Sequence, residues 1–185
     1  MNALRIGRYD IATHMTKVAI TLLLTGWWLF GPMIGYGGCD TDATYHEGIN
    51  GTIWEHLLWP LSHVNVWHLL ANLWVLWYIS KPLKVWEGYV IAVVCSWLPV
   101  WGLWEIGATC GFSGVLCGMI GVKWGEWCWS RQSMTAYTTF LKRVLPFVAV
   151  GIVIPHVNWC IHLYCVIVGL AYGVMAGACQ GKQQA

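Results

Sequence analysis

Six blocks of nearly unbroken apolar sequence, parted by short segments that hold most of the charge, constrain this chain more than any other feature. They run Val18–Tyr36, Leu57–Ile79, Gly88–Trp104, Gly107–Val122, Val144–His156 (apolar through Ile154) and Val157–Cys179. Several approach or exceed the ~18 positions that mark a bilayer span. Only 10% of the 185 residues are charged and 58% are hydrophobic, whereas roughly 25% of an ordinary globular domain is charged. The sequence therefore predicts an all-α, polytopic membrane protein of six transmembrane helices, forming a single domain over residues 1–185. Its formal net charge of +2 includes no basic cluster able to track a phosphate backbone, which argues against a nucleic-acid partner.

The basic residues test the span count independently, because Lys and Arg concentrate in cytoplasmic segments. Arg5, Arg8 and Lys17 precede the first block, and Lys81 and Lys84 follow the second. Lys123, Arg131, Lys142 and Arg143 surround the loop between the fourth and fifth, and Lys182 follows the sixth. The alternate segments carry Asp40, Asp42, Glu47, Glu55 and Glu105 instead. Six spans with both termini cytoplasmic accommodate every basic residue, and a bacterial inner membrane is the expected location. The fifth block is the shortest, since eleven apolar residues cover only ~16 Å as helix.

Tryptophans recur near the block ends, among them Trp27, Trp28, Trp54, Trp59, Trp101, Trp104, Trp127, Trp129 and Trp159, and read as an interfacial aromatic belt. A cleaved signal peptide does not suit the first 36 residues, whose apolar stretch is too long and lacks an A-x-A pattern. A lipoprotein site at Cys39 would lie unusually late. None of the eight cysteines forms a C-x-x-C pair, so most read as small apolar packing residues. Cys39, Cys110 and Cys160 fall at the outer face, where one disulfide is possible.

Polar side chains inside a span are costly and point to function. In the second block, His68 and Asn72 lie within ~40° of each other on a helix, whereas His63 is rotated ~140° from His68. The fourth block opens with Gly111-Phe112-Ser113-Gly114 and continues as a glycine stripe at 114, 118, 121 and 125, a surface that admits close helix approach. The sixth carries His162 on the same face as Gly169, Gly173 and Ala176. In the six-span arrangement Ser113 and His162 lie on the order of 8 to 9 Å below the outer end, and His68 ~12 Å below it. A nucleophile, a base and two further hydrogen-bonding side chains at comparable depth are what acyl transfer requires. Zinc binding by His63, His68 and His162 is the main competitor, but their directions diverge and no acidic or thiolate ligand is placed beside them. His14, His46, His56 and His156 read as loop, interfacial or helix-end residues.

These residues resemble the signatures of the rhomboid intramembrane serine proteases. His63-x4-His68-x3-Asn72 resembles the family's His-x4-His-x3-Asn, Gly111-Phe112-Ser113-Gly114 its Gly-x-Ser-Gly, and His162 with Gly169 seven residues later its sixth-span histidine. The resemblance covers about Val18 to Cys179. It implies a rhomboid-like bundle in which Ser113 is the nucleophile and His162 the general base. It further implies an oxyanion hole of His68, Asn72 and the Ser113 backbone N–H, supported by His63, Gly111 and Gly114. The substrates it implies are transmembrane proteins cut near their extracytoplasmic end and admitted past the fifth span. No metal or organic cofactor is called for. A non-proteolytic rhomboid-like protein that binds membrane clients is the alternative; a thiol oxidoreductase or a transporter lacks its expected sequence marks. Three positions depart from the usual pattern: Glu55 where many members have Arg, Cys117 in place of a common Tyr, and Cys165 where a Gly is common.

Overall fold

The computed structural model describes residues 2–34, 52–79, 84–99, 109–130, 142 and 157–181. Every regular element among them is helical. Helix α1 (Asn2–Phe30) runs into a short 3-10 turn at Gly31–Ile34. It is followed by α2 (Ile53–Leu58), α3 (Val66–Tyr78), α4 (Val85–Cys95), α5 (Ser113–Ser130) and α6 (Trp159–Gly181).

The second apolar block is not one continuous helix. Thr52 caps α2 by accepting the Glu55 N–H at 3.3 Å, and the chain leaves that helix at Trp59-Pro60. It starts again where the Asn65 side chain accepts the His68 N–H at 2.9 Å. A short polar residue ahead of an apolar run is a start signal that satisfies an orphan helix N–H. Hydropathy registers the apolar content of such a segment and misses the break. The helical rotation expected for His63 therefore does not apply, because His63 lies on the irregular turn between the two helices.

Other boundaries shift for related reasons. The first helix begins well before Val18. Helix α4 stops at Cys95, where Ser96 returns its hydroxyl to the Val93 carbonyl at 2.6 Å. The fourth block was expected to open at Gly107, but α5 starts at Ser113, so the depth counted from Gly107 is also corrected. Helix α5 runs about two turns past Val122 and takes in Lys123, which is buried rather than in a loop. Lys17 is likewise buried inside α1, its ammonium donating to the carbonyls of Trp77 and Ile79 at 2.9 and 2.8 Å. Each ammonium also lies near an indole, Lys17 Nζ 5.7 Å from the Trp77 ring centroid and Lys123 Nζ 5.8 Å from that of Trp127, and Lys17 satisfies the carbonyl end of α3. The expected fifth span lies outside the described residues. Among those described, Trp159–Cys179 alone is both long and apolar enough to cross a membrane; α4 is apolar but shorter.

Helices α5 and α6 form the tightest contact. A side-chain carbon added at Gly121 would strike the Val166 carbonyl, one at Gly125 the Leu170 carbonyl, and one at Gly173 the Val122 carbonyl. Helix α4 packs on α5 beside α6, where Gly88 faces the Val115 carbonyl with 2.6 Å for an added carbon and Gly118 meets the Gly88 backbone. From Gly118 to Gly125 the glycine stripe read from the sequence is thus a backbone-to-backbone interface shared by α4 and α6. Leu24, Leu76, Val115, Val122 and Cys165 fill the core around it, each with no exposed surface. Trp59, expected in the interfacial belt, is also fully buried there.

Overpacking a close contact typically costs about 1–3 kcal/mol, so Gly121→Ala is expected to lower the thermal unfolding midpoint in detergent. Gly26→Ala, at a helix position with nothing within 4 Å, is expected to leave it unchanged or raise it, since Ala is the better helix former by about 1 kcal/mol.

Candidate active site

The turn from Cys110 to Phe112 delivers Ser113 to the first position of α5. Gly111 makes this possible. Its φ of 123° is one that side chains with a Cβ rarely adopt, and an added carbon would stand 2.5 and 2.8 Å from Cε1 and Nε2 of His68. The backbone therefore lies flush on that imidazole. The same point is 3.6 Å from the Asn72 amide nitrogen, so His68, Asn72 and the serine-bearing turn share one corner of the molecule.

Three contacts hold the turn. The Gly111 N–H donates to the Trp59 carbonyl at 2.9 Å, and the Phe112 N–H donates to His63 Nε2 at 3.4 Å. The indole of Trp59 packs against Gly114, where an added carbon would run into the ring. With Nε2 accepting, His63 carries its proton on Nδ1, which donates to the Leu61 carbonyl at 3.1 Å. Both ring nitrogens of this buried histidine are thus engaged by backbone, and His63 supports the turn instead of offering a lone pair to a metal. No three His, Cys, Asp or Glu side chains among the described residues converge as metal ligands.

On α6, His162 presents Nε2 to Ser113 Oγ at 2.7 Å. The start of α6 is set by Asn158, which the sequence reading passed over. Its side-chain oxygen accepts the Ile161 N–H at 3.1 Å, and its amide donates to Thr109 Oγ1 at 3.0 Å. One residue thus caps the helix carrying the imidazole and ties it to the strand of chain leading to the hydroxyl. An Asn just ahead of an apolar run is a recognisable cap signal, and it was legible in principle. Cys110, beside Gly111, is disulfide-bonded, whereas Cys160 is buried and outside any disulfide, and Cys39 lies outside the described residues.

The remaining donors face the same corner. As the first residue of α5, Ser113 has a backbone N–H with no acceptor one turn back, at the positive end of the helix dipole. Asn72 is buried and spends one amide hydrogen on the His68 carbonyl at 3.1 Å, leaving the second for another acceptor. His68 sits edge-on to His63 with ring centroids 5.2 Å apart. Its Nδ1 is buried with no hydrogen-bond partner among the described residues, while its Nε2 edge lies against the serine turn.

A second serine–histidine contact of equal length shows why distance alone does not identify a nucleophile. His56 Nδ1 lies 2.7 Å from Ser96 Oγ, but Ser96 gives its hydrogen to the Val93 carbonyl and both residues have no exposed surface. The imidazole, stacked on Trp97 at 3.7 Å, donates into that oxygen and joins α2 to the end of α4. His56 is therefore a structural residue, a role that its place in the sequence did not disclose.

Burial lowers the pKa of His56 from its ordinary value, with the Glu55 carboxylate opposing the shift. The unfolded chain thus takes up the proton first, and the stability contributed by the neutral ring is lost as pH falls from about 6.5, the unfolded value. His56→Gln is expected to flatten the fall in unfolding midpoint between about pH 7 and pH 5. Gly111→Ala is expected to lower the unfolding midpoint, since a methyl there would meet the His68 ring at 2.5 Å and hold a φ of 123° that L side chains rarely adopt.

The family model described as Rhomboid domain matches residues 50–179, more than two thirds of the chain. No curated protein and no solved structure matches it. The matched stretch contains α2 through most of α6 and every residue of the corner just described. On that match the chain belongs to the rhomboid family, integral membrane proteins of the bilayer that are generally intramembrane serine proteases.

Proposed function

We propose that the protein is a serine endopeptidase that hydrolyses peptide bonds of transmembrane substrates near their extracytoplasmic end through a Ser113–His162 dyad. The observation that carries this reading is the 2.7 Å approach of His162 Nε2 to Ser113 Oγ, within the reach a general base needs. Ser113 Oγ attacks the scissile carbonyl while Nε2 takes its proton. The developing oxyanion is received by the Ser113 N–H at the start of α5, the free Asn72 amide hydrogen and His68 protonated on Nε2. His162 then returns the proton to the leaving amine, and water attacks the acyl-enzyme with the imidazole again as base.

Preorganised donors in a site of low dielectric stabilise such an oxyanion far more than they would in water. A third, acidic member would add a buried charge at high cost, and the dyad operates without one. The tight α5–α6 contact supplies in backbone geometry some of the alignment that an orienting carboxylate gives elsewhere. In this reading residues 1–185 form one domain of six spans in a bacterial inner membrane, with both termini cytoplasmic and the dyad opening to the outer face. Substrates come laterally past the fifth span, and their helix must unwind before the carbonyl is exposed.

Ser113→Ala and His162→Ala are each expected to abolish cleavage of a reporter transmembrane substrate with normal expression, and Ser113→Ala to abolish labelling by a fluorophosphonate. Turnover by either variant at the parental rate would end the assignment, and a non-cleaving client-binding protein would then be the better reading. Asn72→Ala is expected to lower kcat by about 10²-fold to 10³-fold, the usual worth of one oxyanion donor.

A further inference from the structure

We propose that Trp59 is a positioning residue for the nucleophile, an inference that rests on the dyad reading above. Trp59 is fully buried and touches the serine turn on both sides of Ser113. Two residues before it, the Trp59 carbonyl receives the Gly111 N–H at 2.9 Å. One residue after it, the outer edge of the indole lies so close to Gly114 that an added side-chain carbon would be 3.2 Å from Cζ2 and closer still to Cη2. These are unlike contacts, one polar and directional and one steric, and they bracket the hydroxyl.

The bracket matters because the rest of the turn is left-handed at Gly111 and makes one longer hydrogen bond, 3.4 Å from Phe112 to His63. Gly114 has no side chain of its own to stand between the first turn of α5 and the Trp59 ring. The indole thus meets that turn directly at Gly114. The Trp59 backbone is in turn anchored to the end of α2, its main-chain N–H donating to the Glu55 carbonyl at 3.1 Å. The outer segment at Glu55 is thereby connected to the register of Ser113 against His162, through the polar and steric contacts of one residue.

The test is a compensation experiment on the full-length protein in detergent, with fluorophosphonate labelling rate per folded molecule, kcat, KM and unfolding midpoint measured together. Trp59→Phe withdraws the outer ring edge, and Trp59→Leu removes the aromatic ring altogether. Each is expected to slow labelling and lower kcat by about 10-fold to 10²-fold, as small misalignments of a nucleophile do, with little change in KM. Gly114→Ala alone is expected to do the same by pressing a methyl into the indole. Combined with Trp59→Phe, the methyl meets an emptied space, and the double variant is expected to label as fast as Trp59→Phe alone or faster, the coupling that contacting residues show.

Labelling per folded molecule that is unchanged in the Trp59 variants, with only the midpoint lowered, would overturn the inference and leave Trp59 as core. So would multiplication of the two single penalties in the double variant. Trp59→Phe keeps the test open should Trp59→Leu fail to fold. Wild-type protein that is not labelled at Ser113 would instead remove the dyad reading, and this inference with it.

Discussion

The close contact between α5 and α6 is the constraint on which the rest of the molecule depends. A serine at the head of one helix and a histidine on the first turn of another meet only if their axes approach almost to backbone contact. Gly121, Gly125, Gly169 and Gly173 permit that approach, each facing a carbonyl or amide of the opposite helix that leaves no room for a side chain. In a bilayer, lipid tails are as apolar as the helix surfaces, so area burial alone does not press helices together. Close packing between small residues takes over that part. The 2.7 Å hydrogen bond between Ser113 and His162 is the consequence at the Ser113 end of that seam.

Around the seam, irregular backbone is held by residues that would otherwise be unexplained. His63 receives one backbone N–H and donates to one carbonyl, Asn158 caps α6 and grips Thr109, and Trp59 takes the Gly111 N–H. Non-helical chain at membrane depth is tolerated where protein satisfies its polar groups, and these residues do so. The same economy appears away from the corner. Lys17 closes the carbonyl end of α3, and the His56–Ser96 pair joins α2 to α4. Several polar side chains inside the apolar blocks are thus there for architecture. What separates Ser113 and His162 from the equally short His56–Ser96 contact is a hydroxyl whose hydrogen is not committed to a backbone carbonyl, set at a helix N-terminus and partly accessible.

The differences between sequence pattern and structure share a cause. Block boundaries drawn from hydropathy missed the break between α2 and α3 and the true start of α5, because caps and turns there are made by Asn65, Pro60 and Gly111 within apolar surroundings. Lys123 looked like a loop residue and Trp59 like an interfacial anchor; both are buried. A one-dimensional profile scores each side chain by its transfer energy, whereas burial of a lysine stem or an indole depends on which helix happens to lie opposite.

By itself the sequence determined the helical, membrane-suited class of the chain, the glycine face of α5, and the residue types that acyl transfer would need, at spacings that matched a family. Those are local properties: apolar runs, a periodicity of 3.6, and short patterns of chemistry. Only the tertiary structure decided that the Gly111 turn lies against His68, that His63 is a brace for the serine turn, that Asn158 grips Thr109, and that Trp59 and His56 are buried structural residues. Each of these depends on contacts between residues far apart in the chain, and such contacts are chosen by the packing of whole helices, which no local pattern contains.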